Sequence, residues 1–186
     1  MRLRNSFILA FLILVSCDVA SSRNAEMEVL PYFDLKGFIA QKLAELPDSV
    51  QMAKSSRINW EEALTSKKMS REDIRKELEV FYEADINSPS FAQSYDTEVV
   101  KRYLIHKLKP EEKGRLQEMI ITYTDDEVSG IQIKMKKDNT FYTSTTIAEI
   151  YFSGVSQKID HYNVETTQKI LLMDPNNIRY SGSIKQ

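Results

Sequence analysis

The stretch that decides the fold spans residues 131–136 and reads Ile131-Gln132-Ile133-Lys134-Met135-Lys136. Apolar and polar side chains alternate along it, and successive side chains of an extended chain point to opposite faces. The stretch therefore predicts a β-strand with one buried face and one solvated face. Polar turn residues bound the strand on both sides, at 125–127 and at 137–139.

Extended chain is predicted on both sides of this strand. Further segments rich in β-branched and aromatic residues span 99–108, 116–124, 141–152, 155–164, 167–173 and 178–184. The connections are short, as at Asp174-Pro175-Asn176-Asn177, which favours antiparallel pairing over helical crossovers. We therefore predict a β-meander of about seven strands that is able to curl into an open barrel. The periodicity does not decide whether that barrel closes.

Two segments ahead of these strands have apolar residues at helical spacing. The first stripe comprises Leu35, Phe38, Ile39, Leu43 and Leu46. The second comprises Ile74, Leu78, Phe81 and Tyr82. Pro47 ends the first predicted helix, and Ser70 is the predicted N-cap of the second. The predicted fold class is α+β, with two N-terminal helices packed on one face of a largely antiparallel sheet.

Residues 50–65 are compatible with two local structures. One is a β-hairpin that turns near residues 57–59, and the other is a short helix that contains Trp60 and the two following glutamates. Trp60 is the only tryptophan of the chain. A large aromatic side chain packs in a core or under a lid more often than it stacks on a ligand. We expect core packing for Trp60 and keep it as a candidate contact residue.

The N-terminal segment has the layout of a secretory signal, with basic Arg2 and Arg4 ahead of an apolar run at residues 7–15. At ~1.5 Å per residue this run reaches about 14 Å as a helix, whereas the hydrocarbon core is ~30 Å thick. A permanent transmembrane span is therefore disfavoured. Cleavage just before Cys17 with acylation, an ordinary cleaved signal, and an uncleaved anchor are the three possible outcomes, in this order of preference.

The run Leu14-Val15-Ser16-Cys17 resembles the lipobox of bacterial lipoproteins. That resemblance implies a signal peptide at residues 1–16 and a thioether-linked lipid on Cys17. As the only cysteine, Cys17 also lacks an intramolecular disulfide partner. Residues 17–30 then comprise the lipidated cysteine and a flexible tether, and residues 31–186 form a single domain. The predicted location is the cell envelope, on the outer membrane rather than the inner one, although Asp18 favours inner-membrane retention in some bacteria.

Four short segments follow this lipobox in a fixed order, at residues 32–38, 81–87, 141–145 and 168–172. Together they resemble a family of bacterial outer-membrane-type lipoproteins of about this length. The family pattern has a tryptophan on the second helix where this chain has Ile74. No reaction is established for that family, so the resemblance implies only the domain layout and the envelope location.

Composition and motifs point away from several function classes. The net charge is −2, from 25 basic and 27 acidic residues. This balance argues against non-specific electrostatic binding of nucleic acid. The cluster of Lys134, Lys136 and Lys137 is predicted to be a solvated strand face. The two histidines, His106 and His161, are not at metal-ligand spacing, and phosphate-binding and nucleophile-elbow motifs are missing. We therefore assign no catalytic residue, metal ligand or cofactor.

Tyr142, Ser144 and Thr146 carry hydroxyl groups on one face of a predicted strand. Such a row binds a polar ligand or simply occupies solvated positions, so these residues join Trp60 as candidate contacts for a ligand or partner. The chain is predicted to be a lipid-anchored, non-enzymatic binding module for an envelope protein or an apolar ligand. The alternatives are a hydrolase with a dispersed active site and a lipid or lipoprotein carrier with a cavity in a curved sheet.

Overall fold

A computed structural model describes residues 30–184 and shows a mainly β fold built on one nine-stranded antiparallel sheet. The strands are β1 (Ser49–Ile58), β2 (Glu61–Ser70), β3 (Tyr95–Val100), β4 (Tyr103–Leu108), β5 (Leu116–Thr124), β6 (Glu127–Asp138), β7 (Tyr142–Phe152), β8 (Ile159–Ile170) and β9 (Asn176–Ile184). The helices are α1 (Leu35–Ala44), α2 (Arg71–Glu77) and α3 (Glu79–Glu83), with a 3-10 turn at Pro89–Phe91.

The sheet is a meander to which an N-terminal hairpin is added. Its strand order is β2-β1-β9-β8-β7-β6-β5-β4-β3, so strands β3 to β9 each pair with their sequence neighbours. The β1–β2 hairpin joins the last strand, where Met52 lies opposite Ile184. Strands β2 and β3 are the two edges and do not pair with each other within residues 30–184. The sheet is therefore open and not a closed barrel.

Two predicted numbers are wrong. Nine strands replace the predicted seven, because a turn splits residues 99–108 into β3 and β4 and because residues 50–65 belong to the β1–β2 hairpin. The prediction also divided β8 into two strands, whereas it runs without a break from Ile159 to Ile170. The helices number three instead of two, since the second predicted helix is interrupted at Leu78 (φ −91°, ψ 8°). With so little helix, the α+β label is corrected to mainly β.

Local capping fixes where the helices begin. The carboxylate of Asp34 accepts a hydrogen bond from Gly37 N at 2.8 Å, and Ser70 Oγ accepts one from Asp73 N at 3.1 Å. Each bond satisfies one amide that a helix N-terminus leaves unpaired. Ser70 was the predicted cap of α2, and its role is confirmed.

The core lies between the three helices and one face of the sheet, which we call the helix face. Ile131, Ile133 and Met135 are buried there and alternate with exposed polar neighbours, as the sequence predicts. From the helices, Leu35, Ile74 and other members of both predicted apolar stripes complete the core. The opposite face of the sheet, the solvent face, carries mainly polar side chains. Between residues 30 and 184, no helix has the length and apolar content needed to cross a bilayer.

The strand directions give the sheet two distinct ends. Turns at residues 59–60, 139–141 and 171–175 lie at one end, which we call the distal end. Turns at residues 125–126 and 153–158 lie at the other, proximal end.

Candidate functional site

The helices leave the distal part of the helix face uncovered. On β7, Ala148, Ile150 and Phe152 are buried, whereas residues 142–146 are only half-buried. On β8 the last fully buried residue toward the distal end is Val164. The helix cover therefore ends about midway along the central strands, and the sheet continues beyond it as an open surface.

The three predicted hydroxyl residues, which together we call the hydroxyl row, lie on this open surface. Tyr142, Ser144 and Thr146 alternate along β7, and Thr146 Oγ1 is 3.0 Å from Thr166 Oγ1 on β8. The ammonium group of Lys137 lies 5.8 Å from the centre of the Tyr142 ring. The row thus combines hydrogen-bonding groups with one cation, which suits a polar ligand or a protein surface.

The distal turns and the strand ends beside them carry a group of exposed apolar side chains, which we call the apolar crest. It consists of Ile58, Trp60, Phe141, Ile170, Leu171, Leu172, Met173 and Ile178. The β1–β2 turn is tied to β9 by Asn59 N, which donates to Asn177 O at 2.8 Å. The β8–β9 turn is tied to the β6–β7 turn by Leu171 N, which donates to Phe141 O at 2.8 Å. These hydrogen bonds hold three neighbouring turns side by side.

Trp60 and Leu172 are the most exposed side chains of the crest. Both side chains are 97% exposed, so the expectation that Trp60 packs in a core is wrong. Leu172 also has a positive φ of 64°, which is unusual for a bulky residue other than glycine. Such a conformation costs about 1–2 kcal/mol. The fold therefore holds an apolar side chain in water at an energetic cost and without burying it.

The sequence signal for the crest is the run Leu171-Leu172-Met173 directly ahead of the turn Asp174-Pro175. The prediction placed this run in a strand, where apolar side chains belong. The structure places the run at a turn, where its three side chains are exposed and not buried in the core.

His106 has a structural environment. It is 1% exposed, and its Nε2 accepts a hydrogen bond from Phe33 N at 3.2 Å. Because an amide N–H only donates, Nε2 carries no proton, and Nδ1–H is left to donate to Thr97 Oγ1 at 2.9 Å. Burial lowers the pKa of His106, which keeps the imidazole in this neutral form. His106 on β4 therefore links the segment directly ahead of α1 to the edge strand β3.

His161 belongs to the solvent face, beside a shallow groove of about 790 Å³. The groove lies next to edge strand β2 and is lined largely by small side chains, with Leu64 on one wall. The His161 Nδ1 is 2.8 Å from Asp160 Oδ2, and the ring of Tyr151 stacks on the imidazole with the ring centres 4.6 Å apart. Ser183 lies opposite His161 in the register. In the described part of the chain no hydrogen bond joins these two side chains, so they do not form the serine–histidine contact of a catalytic triad.

A polar cluster that the sequence did not indicate connects α2 with the sheet. Glu77 forms an ion pair with Lys54 on β1 and accepts a hydrogen bond from the Tyr162 hydroxyl at 3.0 Å. Burial, together with the Glu77 charge, raises the pKa of Tyr162 far above its ordinary range. Burial and the same carboxylate raise the pKa of Tyr180 to about 12. The neutral Tyr162 thus bonds β8 to α2.

The remaining sequence predictions concern charge and the N-terminus. Lys134, Lys136 and Lys137 are exposed as predicted, and Lys136 pairs with Asp138 at 3.1 Å. Within residues 30–184, no three acidic, histidine or cysteine side chains are grouped so that they would hold a metal ion. The signal peptide, Cys17 and the tether as far as residue 29 lie outside the described residues. The chain matches no protein-family model, no curated protein and no solved structure.

Proposed function

We propose that this chain is a lipid-anchored cell-envelope protein that acts as a non-enzymatic binding module. Cys17 carries the lipid, and the distal end of the sheet, with the apolar crest and the hydroxyl row, is the binding end. The resemblance of residues 14–17 to a lipobox supports the anchor. An envelope protein or an apolar ligand is the class of partner, and the outer membrane is the favoured location.

The observation that carries this proposal is the apolar crest. Monomeric proteins rarely expose contiguous apolar surface unless that surface binds something. The crest is held by backbone hydrogen bonds between three turns, and its two most prominent side chains are fully exposed. The hydroxyl row lies directly below it on β7, so apolar and polar contacts are available to one partner.

The packing of the helix face favours a binding module over a lipid carrier. A carrier needs an apolar cavity of several hundred Å³ within the curved sheet. Here the space against the proximal part of the helix face is filled by α1, α2 and α3, whose Leu35, Ile74 and Phe81 are fully buried, and the distal part is an open surface. The histidines favour a binding module over a hydrolase, because His106 serves packing and His161 stacks on Tyr151.

Two experiments test the proposal. The anchor is tested by mass spectrometry of the mature N-terminus, which we expect to begin at Cys17 with two or three acyl chains. An unmodified N-terminus downstream of Cys17 would contradict the anchor. The binding end is tested by placing a photocrosslinking amino acid at position 60 in intact cells, with position 155 at the proximal turn as the matched control. We expect adducts from position 60 only, and equal labelling from both positions would contradict a specific binding end.

A further inference from the structure

We infer that the apolar crest docks into the interface of a lipid bilayer, so that the domain lies against the membrane instead of hanging from its anchor. This inference rests on the proposed function, because it names the partner of the same binding end. Three observations carry it: the shape of the crest, its side-chain composition, and the place where the N-terminal chain meets the domain.

The arrangement of the crest is compatible with contact to a flat membrane surface. The turns at residues 59–60, 139–141 and 171–175 belong to strands that are neighbours in the sheet. A backbone hydrogen bond joins the last two turns, and another joins the first turn to the start of β9. Because the three turns lie side by side at one end of the sheet, a flat surface is able to contact all of them at once. A small concavity of about 290 Å³ lies between the β6–β7 turn and the β8–β9 turn, and its lining includes Phe141, Ile170 and Leu172. It does not extend to the β1–β2 turn, whereas a flat surface is able to reach all three turns.

The composition of the crest suits the boundary between headgroups and acyl chains. Tryptophan is enriched at this depth, and the other crest residues are aliphatic or aromatic side chains and one methionine. Charges of both signs stand nearby: Lys137 and Lys169 at the ends of β6 and β8, and Asp174 in the β8–β9 turn. The contact is therefore apolar in character, with no requirement for a strongly anionic surface.

The N-terminal chain joins the domain at the same end as the crest. Strand β3 begins at the distal end with Tyr95, whose amide donates to the Tyr32 hydroxyl at 3.2 Å. The same hydroxyl donates to Phe91 O at 2.9 Å. The chain thus meets the domain at the distal end of β3, which is the edge strand opposite the β1–β2 hairpin. Neighbouring strands are about 4.8 Å apart, so the whole sheet is roughly 40 Å wide, and a chain of 13 residues spans at most about 45 Å. A lipid on Cys17 and the crest are therefore able to contact one bilayer together.

Trp60 provides the test, because it is the only tryptophan and its side chain is 97% exposed. The full chain is purified with its lipid and reconstituted in vesicles of equal parts phosphatidylcholine and phosphatidylglycerol, with and without bromine on the acyl chains. We expect brominated chains to quench Trp60 emission and acrylamide to quench it poorly. The quenching should persist at high salt, and Leu172→Ser should reduce it severalfold.

The matched control moves the indole to the other end of the sheet. Val155 lies in the proximal turn and is 99% exposed, so Trp60→Phe combined with Val155→Trp keeps one exposed tryptophan in an equally lipidated protein. We expect acrylamide, and not brominated chains, to quench this variant. Equal quenching of both proteins by brominated chains would overturn the inference, because the domain would then have no preferred orientation.

The outcomes separate this inference from the proposed function. If Cys17 is lipidated and Trp60 stays open to acrylamide on vesicles, bilayer docking is overturned while the anchored binding module stands. A protein adduct from position 60 in cells, together with that result, would identify a protein as the occupant. If Cys17 is bare and vesicles still bury Trp60, the anchor fails and the docking surface stands.

Discussion

The hydroxyl of Tyr162 on β8 donates a hydrogen bond to Oε2 of Glu77 on α2 over 3.0 Å. Glu77 also pairs with Lys54 on β1, so a single carboxylate on α2 is bonded to two strands of the sheet. Since hydrogen bonds to charged groups contribute more than neutral ones, this contact helps to fix the helix layer over the core.

Removing the Tyr162 hydroxyl should destabilise the fold and change its response to alkali. We expect Tyr162→Phe to lower the free energy of unfolding by about 1–3 kcal/mol, measured by urea denaturation at pH 7. The ordinary tyrosine pKa is about 10, and the pKa of Tyr162 is raised in the fold, so the unfolded chain ionises first. Stability is therefore intact below about pH 10 and is lost as the pH rises further.

The alkaline loss should be less steep in Tyr162→Phe than in the wild type. Tyr95 and Tyr180, with pKa values raised to about 12, keep part of the dependence in both proteins. Parallel pH profiles of the two proteins above pH 10 would show that Tyr162 ionises as readily in the fold as in the unfolded chain.

Gly182 is required by the close approach of the Tyr162 ring. A methyl group on Gly182 would lie 2.6 Å from the Tyr162 hydroxyl oxygen and 2.7 Å from two ring carbons. We expect Gly182→Ala to cost about 1–3 kcal/mol in a urea or thermal unfolding measurement. The control is Gly154→Ala, since nothing lies within 4 Å of a methyl group there. Equal effects of the two substitutions would refute the steric argument.

Acid should weaken the fold through His106. Its pKa is lowered by burial, so the unfolded chain takes up a proton first as the pH falls below about 6.5. Stability is thus present above that pH and is lost as the pH falls through the folded pKa. We expect His106→Gln to flatten the pH profile between about pH 6.5 and 5, because an amide does not titrate there.

The control for this experiment is Gly154→Ala, which changes no titratable group. We expect this substitution to leave the acid profile unchanged, because nothing lies within 4 Å of a methyl group at that position. If His106→Gln keeps the wild-type profile, the acid sensitivity comes from other groups.

The sheet was predictable wherever one face of a strand is buried. Residues 131–136 and 178–184 alternate in sequence, and the structure places them in β6 and β9. Edge strand β2 gave no such signal, because only Met69 of its ten residues is buried. The turn between β3 and β4 has no glycine, proline or asparagine, and Lys101 adopts a positive φ of 54° instead. Pairing with neighbouring strands determines both β2 and the β3–β4 turn, so neither is evident from the local sequence.

The candidate site was predictable in its parts and not in its arrangement. Alternation alone places Tyr142, Ser144 and Thr146 on one face. The crest depends on strand order: β1 joins β9, and this pairing brings the turn that carries Trp60 beside the turn that carries Leu172. Pairing between segments more than a hundred residues apart is not encoded in any short window of sequence.

Leu172 allows stability and binding to be separated. Its left-handed backbone costs about 1–2 kcal/mol, and glycine adopts that conformation freely at an entropic cost of about 0.5–1 kcal/mol. We therefore expect Leu172→Gly to be as stable as the wild type or up to about 1 kcal/mol more stable in urea unfolding. Its apolar contact is lost, so quenching of Trp60 by brominated lipid should fall.

Val155→Gly is the control, because Val155 is equally exposed without a positive φ. Its substitution should slightly destabilise the fold without changing the quenching of Trp60. A Leu172→Gly protein that is less stable than the wild type would mean that Leu172 supports the fold, whereas a gain in stability with a loss of lipid contact assigns it to binding.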